Sequence, residues 1–140
     1  MLQRQCSCVG VSVCEDLSEE LLGASDVIVD ALFGFSFDVR RPLRDPFASI
    51  IARLSTACQP IVCVDVPSGW DVDCGPASPD VPHIKPAVLI SLTAPKGCAR
   101  HLGGEVRHYL GGRFVPPTVA SAYRLSLPDY PGAALFCRLS

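Results

Sequence analysis

The sequence is short of charge and has no excess of either sign. Charged residues make up 19% of its 140 residues, with 12 Lys and Arg against 14 Asp and Glu. A net charge of −2 leaves no basic footprint for nucleic acid. No apolar run is long enough to span a bilayer. There are three histidines, scattered, and no Cys-x-x-Cys pair among the eight cysteines, so a zinc site has no ligand spacing to rest on. The opening residues, Met1-Leu2-Gln3-Arg4-Gln5-Cys6, read as neither a signal peptide nor a transit peptide. No Gly-x-Ser-x-Gly frame surrounds Ser68, which excludes a nucleophile elbow there. No glycine-rich turn occurs before Asp26, where Gly10 and Gly23 stand alone.

What is present points to one globular α/β domain. The hydrophobic fraction is 49%, enough for a packed core in a chain of this length. Cys58, Cys63 and Cys137 sit in or beside apolar runs, where reduced cysteine behaves as a small hydrophobe. The expected setting is a reducing compartment inside the cell.

Two apolar, β-branched runs organise the chain. The first is Val27-Ile28-Val29-Asp30-Ala31-Leu32-Phe33-Gly34. The second is Pro60-Ile61-Val62-Cys63-Val64-Asp65-Val66-Pro67-Ser68-Gly69. Each carries a carboxylate and ends at a glycine. Between them, Phe47, Ile50, Ile51 and Leu54 repeat at helical spacing, which predicts a helix over residues 46–57 with Asp45 as its cap. Strand, helix, strand makes a parallel pair. Ligands of such sheets bind beyond the carboxyl ends of the strands, so the loops after Gly34 and after Pro67 are expected to face one crevice.

Other elements are expected around this unit. Residues 9–14 alternate and read as a short strand, and residues 15–22 as a weak acidic helix stopped by Gly23. Residues 75–82 read as loop, and residues 87–93 as a third strand. Residues 106–110 and 113–117 read as short strands joined by Gly111-Gly112, with edge pieces at 123–127 and 135–139.

Several side chains have two readings. Asp30 is either a strand-end carboxylate that caps backbone amides or a cation ligand, since a buried carboxylate needs partners. Arg40, Arg41 and Arg44 either attract phosphate near the helix start or line a solvated loop. Lys96 either reaches the crevice or lies on the surface. Trp70 is either a pocket wall or a core residue.

The segments Val29-Asp30-Ala31-Leu32-Phe33-Gly34-Phe35-Ser36-Phe37, Val64-Asp65-Val66-Pro67-Ser68-Gly69-Trp70-Asp71 and Leu89-Ile90-Ser91-Leu92-Thr93-Ala94-Pro95-Lys96 resemble the YjeF N-terminal domain family. So do Tyr109-Leu110-Gly111-Gly112-Arg113-Phe114-Val115-Pro116-Pro117 and the Leu127-Pro128-x-Tyr130-Pro131 ending. The similarity runs from about residue 27 to the end, so a single partial domain is expected over 1–140, with 1–26 as a divergent segment.

The resemblance implies a Rossmann-like, three-layer α/β/α fold with a mainly parallel sheet. It implies an isomerase of metabolite repair that interconverts the R and S forms of hydrated NADH and NADPH. It implies one potassium ion, with Asp30 and Ser68 as ligands. Substrate contacts fall on Gly34, Phe35, Ser36, Phe37, Asp38, Arg40 and Asp65, and Asp65 is the candidate acid/base. An apolipoprotein-type protein partner, a homodimer and a mitochondrial or cytoplasmic location are also implied.

This sequence departs from the family pattern in two places. After Phe37 it continues Asp38-Val39-Arg40-Arg41-Pro42, without the family's glycine and with about two extra residues before the helix, which separates Asp38 and Arg40 from a direct match. The family's glycine- and asparagine-rich phosphate loop has no counterpart before Val9. The expectation is a fragment, a splice form or a relative that lacks the family's first half, with activity of the chain alone left open. A catalytically inactive, protein-binding relative is the alternative function.

Overall fold

The structure is a computed structural model that describes residues 2–76, 78, 81–112 and 114–140. It begins with helix α1 (Leu2–Cys8), whose end is closed by Gly10 at φ +80°. Val11 N–H bonds to the Cys6 carbonyl and Gly10 N–H to that of Ser7, a Schellman closure. This is why residues 9–14 form no strand: their first amides cap a helix, and Val9, Val11 and Val13 face solvent. Helix α2 (Glu19–Gly23) starts four residues later than the acidic run suggests, because the Ser18 hydroxyl accepts the Leu21 N–H and sets the cap.

Strand β1 (Ile28–Asp30) is followed by helix α3 (Phe47–Leu54) and strand β2 (Ile61–Val64). The α3 cap is Pro46 rather than Asp45, but Asp45 still accepts the Ser49 N–H and hydroxyl from one position earlier. A small antiparallel pair, β3 (Trp70–Asp71) and β4 (Gly75–Pro76), interrupts the expected loop over 75–82, of which residues 77, 79 and 80 lie outside the described residues. Strand β5 (Val88–Leu92), the 3-10 helix Gly97–His101 and strand β6 (Arg107–Gly111) come next. The strand expected at 113–117 is absent from its described part, and Arg113 lies outside the described residues. Pro116 and Pro117 cannot donate to a ladder, and Pro117 instead opens helix α4 (Pro117–Ala122). Residues 123–127 form no edge strand, since Tyr123 closes α4. Strand β7 (Phe136–Arg138) does form one.

The main sheet has the order β1-β2-β5-β6-β7. The first four strands are parallel and β7 runs antiparallel to β6. This is the Rossmann-like α/β architecture expected. One face carries Ile61, Cys63, Leu89 and Leu110, all buried, and the first three pack with Leu22 of α2, Leu54 of α3 and Ile84. A second cluster joins Val66, Trp70 and Cys98. Trp70 is thus a core residue, and its indole N–H is satisfied by the Ile84 carbonyl at 2.8 Å.

The opposite face is open. Val29, Leu92 and Phe136 are exposed there, and Val62, Val64, Val88, Ile90 and Tyr109 are only half-buried. Parallel strands are ordinarily covered on both faces. Among the described residues, no helix is long and apolar enough to cross a membrane.

Candidate functional site

Because β1, β2, β5 and β6 are parallel, their outgoing loops gather at one end of the sheet. Asp30 is the last residue of β1, and Asp65 follows β2 directly. Both are buried. The structure therefore brings the two expected carboxylates to neighbouring strand ends, but into different bonding environments.

Asp30 and Ser68 clasp each other. Asp30 Oδ1 accepts the Ser68 hydroxyl at 2.6 Å and the Leu32 N–H at 3.3 Å, while Oδ2 accepts the Ser68 N–H at 2.8 Å. The Ser68 oxygen in turn accepts the Phe33 N–H at 3.2 Å. Both side chains are about 1% exposed. The clasp ties the β1 loop to the β2 loop. Cys63, paired with Asp30 in the ladder, lines it from beneath. Burial, then the negative charge of Asp30, pushes the Cys63 thiol far up, so it stays protonated and inert. As a donor set for a cation, Asp30 and Ser68 offer two hard oxygens of the kind an alkali ion takes, and too few to complete its shell.

Asp65 has φ +72°, and its carboxylate meets only donors. Oδ1 takes the Lys96 ammonium and the Leu92 N–H at 3.2 Å. Oδ2 takes the Phe35 N–H at 3.2 Å. Gly34 eases this approach: a Cβ would stand 3.3 Å from Asp65 Oδ2, so the carboxylate would have to give by a few tenths of an ångström. Lys96 is therefore an inner residue with a charged partner rather than a surface lysine. Cys98 lies nearby, its thiol raised to about 11 by burial, with Lys96 opposing the shift and Asp65 adding to it.

The loop from Gly34 forms a wall of a cavity of about 860 Å³. Gly34, Ser36, Phe37 and Asp38 line it, together with Arg41 and Arg44. Phe33 stacks on Phe37 at 4.5 Å and meets Phe47 at 5.2 Å, which stiffens the loop against α3. Phe35 itself points out, 68% exposed. Asp38 and Arg40 pair with each other at 2.8 Å, and that pairing holds the Asp38 carboxyl below its ordinary value. Arg41 also lies 3.7 Å from Asp38.

One polar pair carried no expectation. Ser91 and His108 sit on the buried face of β5 and β6, with Oγ 2.9 Å from Nε2. The available signal was two polar residues at inward positions of otherwise apolar strands. Burial lowers the His108 pKa from its ordinary 6.5. The protonated form is thus costlier in the folded chain, and stability falls as pH drops below about 6.5. Thermal melts between pH about 7 and about 5 should show a larger loss of Tm for the unchanged chain than for His108→Gln.

The chain was compared with known proteins. The family model described as YjeF-related protein N-terminus matches residues 3–98. The chain is 50% identical over 141 residues to a protein of Aedes aegypti named NAD(P)H-hydrate epimerase, and 48% identical over 141 residues to one of that name from Anopheles gambiae. Each alignment covers 99% of this chain and 59% of the relative. The crystal structure of the yeast protein YNL200c superposes with a TM-score of 0.88 at 41% identity, covering 99% of this chain and 58% of that one. The chain thus spans somewhat over half the length of the relatives it matches. With a family model matching more than half of its residues, and with the site loops standing at the ends of the same mainly parallel sheet, the chain belongs to the family of YjeF-related protein N-termini.

Proposed function

We propose that this chain carries the proton-handling side of an NAD(P)H-hydrate epimerase, interconverting the R and S forms of hydrated NADH and NADPH. The observation that carries the reading is Asp65: a buried carboxylate at a strand end, bonded to the Phe35 amide of the loop whose Gly34, Ser36 and Phe37 line the cavity, in a chain half identical to proteins of that name. In the hydrate, a hydroxyl sits on the carbon beside the ring nitrogen. In the form that holds a proton, Asp65 gives it to the departing hydroxyl, which leaves as water while the nitrogen lone pair forms an iminium bond. Water then adds to the opposite face of that carbon, and Asp65 takes back its proton. Protons and oxygen balance, and no oxidant is needed. The cavity of about 860 Å³ supplies room for a nucleotide, and substrate contacts fall to Gly34, Phe35, Ser36 and Phe37. Asp38 and Arg40 join them after their mutual pair opens. The experiment follows R-to-S conversion of hydrated NADPH by chromatography. Conversion above the spontaneous rate supports the reading. None, from a folded chain, counts against it.

The reading includes one potassium ion, with the Asp30 carboxylate and the Ser68 oxygen as two of its ligands. A monovalent cation orients groups and is a weak Lewis acid. If the ion binds the folded chain and not the unfolded one, Tm rises with potassium chloride by mass action and stays level in matched lithium chloride. Equal melting temperatures in the two salts would remove the ion from the reading.

A second reading is a non-catalytic module for an apolipoprotein-type partner, for which the open sheet face around Val29, Leu92 and Phe136 is the surface on offer. Apolar faces of this kind mark association sites, and a homodimer is the simplest cover. Stable co-elution with a purified apolipoprotein, without turnover, points to this second reading, and turnover points to the first.

A further inference from the structure

The strand ends around Asp65 are strained in a concerted way. Among the described residues, three non-glycine residues have positive φ, and two of them are Asp65 at +72° and Thr93 at +68°. They stand directly after β2 and β5, which are neighbours. A β-branched residue in this region is an outlier that the surrounding structure must hold in place. Thr93 N–H is fixed by the Gly111 carbonyl at 3.0 Å, and Ala94 N–H turns back to the Leu92 carbonyl at 2.7 Å. Gly112 accommodates this turn, since a Cβ there would stand 3.3 Å from Thr93 N.

The outcome of that turn is the placement of Lys96. The chain doubles back so that Lys96 Nζ donates to the Leu92 carbonyl at 2.7 Å and to Asp65 Oδ1. The next residue, Gly97, is pressed so closely on Asp73 that a Cβ would lie 2.8 Å from its Cα. The two charged side chains are only 19% and 10% exposed. A pair desolvated to this degree is a poor stabiliser against an apolar alternative. Strain, tight packing and buried charge all converge on one carboxylate.

That carboxylate is also the link to the cavity wall. Its other oxygen holds the Phe35 N–H, and Phe35 belongs to the loop beginning at Gly34. Without Lys96, two amides remain to hold it, one on the last residue of β5 and one on the 34–37 loop, and neither is charged. We propose that Lys96 is a positioning residue: it fixes the Asp65 carboxylate, and through the Phe35 amide the 34–37 loop, in the arrangement the proton transfer uses. This rests on the epimerase reading for its kinetic consequence. Lys96 acts through Asp65 and takes no proton itself.

The test compares Lys96→Met and Lys96→Arg with the unchanged chain by two measurements. The first is amide hydrogen exchange, which needs no substrate. Lys96→Met should speed exchange at Phe35 and Leu92 by at least roughly tenfold while the amides of β2 keep their protection, and Lys96→Arg should restore it. The second is kinetic. Lys96→Met should lower kcat on the order of 10²-fold with KM nearly unchanged, because misplacing a reacting group costs about that much; arginine should recover most of it. Where Lys96→Met does not fold, Lys96→Gln, which keeps a donor without the charge, should show the same kcat-only loss. Exchange at Phe35 and Leu92 unchanged from the parent would overturn the proposal. So would a loss confined to KM, or a kcat equal to the parent's. An inactive parent counts against the epimerase reading alone, and the exchange comparison still decides whether Lys96 holds the loop.

Discussion

On the proposed epimerase reading, asparagine in place of Asp65 should lower epimerisation by roughly 10²–10⁴-fold, the span that general acid–base help contributes, and leave the chain folded. The change keeps the side chain's shape and removes its capacity to carry a proton to and from the substrate. Its amide oxygen can still take one of the present donors. Its amide nitrogen must then face either the Lys96 ammonium or the Phe35 N–H, both donors, so local order around the loop also suffers. The fold does not hang on this group, because the core clusters lie on the covered face of the sheet and around Trp70. The measurements are turnover of hydrated NADPH and a melting curve on the same sample. Turnover at the parent rate would reduce Asp65 to a structural or binding residue.

Removing Asp30 should act on stability instead. Asp30→Ala deletes a side chain that is about 1% exposed and accepts three hydrogen bonds. The Ser68 N–H and hydroxyl lose their partner in a place with little water. Each stranded buried group costs about 1–3 kcal/mol, so the loss should be about 3–5 kcal/mol, a large share of a small domain's stability. Asp30→Asn should cost less. Its oxygen can keep the Ser68 N–H, the serine hydroxyl can turn to accept, and only the Leu32 amide opposes the new donor. Denaturant midpoints with an unchanged slope would measure both. A midpoint for Asp30→Ala within error of the parent would show that the clasp contributes nothing.

Much of this site was legible from residue order because a parallel sheet has a simple rule. Apolar runs ending in Asp30 and Asp65 had to be neighbouring strands if residues 46–57 were a helix, and the loops after them had to share an end. The elements misread were those where tertiary or local capping bonds outweigh pattern. Residues 9–14 alternate as a strand would, yet the amides of Val9, Gly10 and Val11 are consumed by the closure of α1. Residues 113–117 look extended, yet Pro117 is better placed to start α4 than to join a ladder. The Ser91–His108 pair was invisible because alternation marks a position as inward without saying which inward residues meet across strands.

By itself, the amino-acid sequence determined the α/β class, the strand–helix–strand unit and the family, since these depend on local periodicity and on short segments in fixed order. It also placed Asp30, Ser68, Asp65 and the 34–37 loop at one end of the sheet. Only the tertiary structure decided what each of them does there. Asp30 and Asp65 are alike in sequence, each closing a β-branched run. Folding gives Asp30 a serine and amides, and makes it a clasp. Folding gives Asp65 an ammonium from a residue 31 positions away and an amide from one 30 positions away. That difference in partners is set by where distant strand ends meet, which no local pattern encodes.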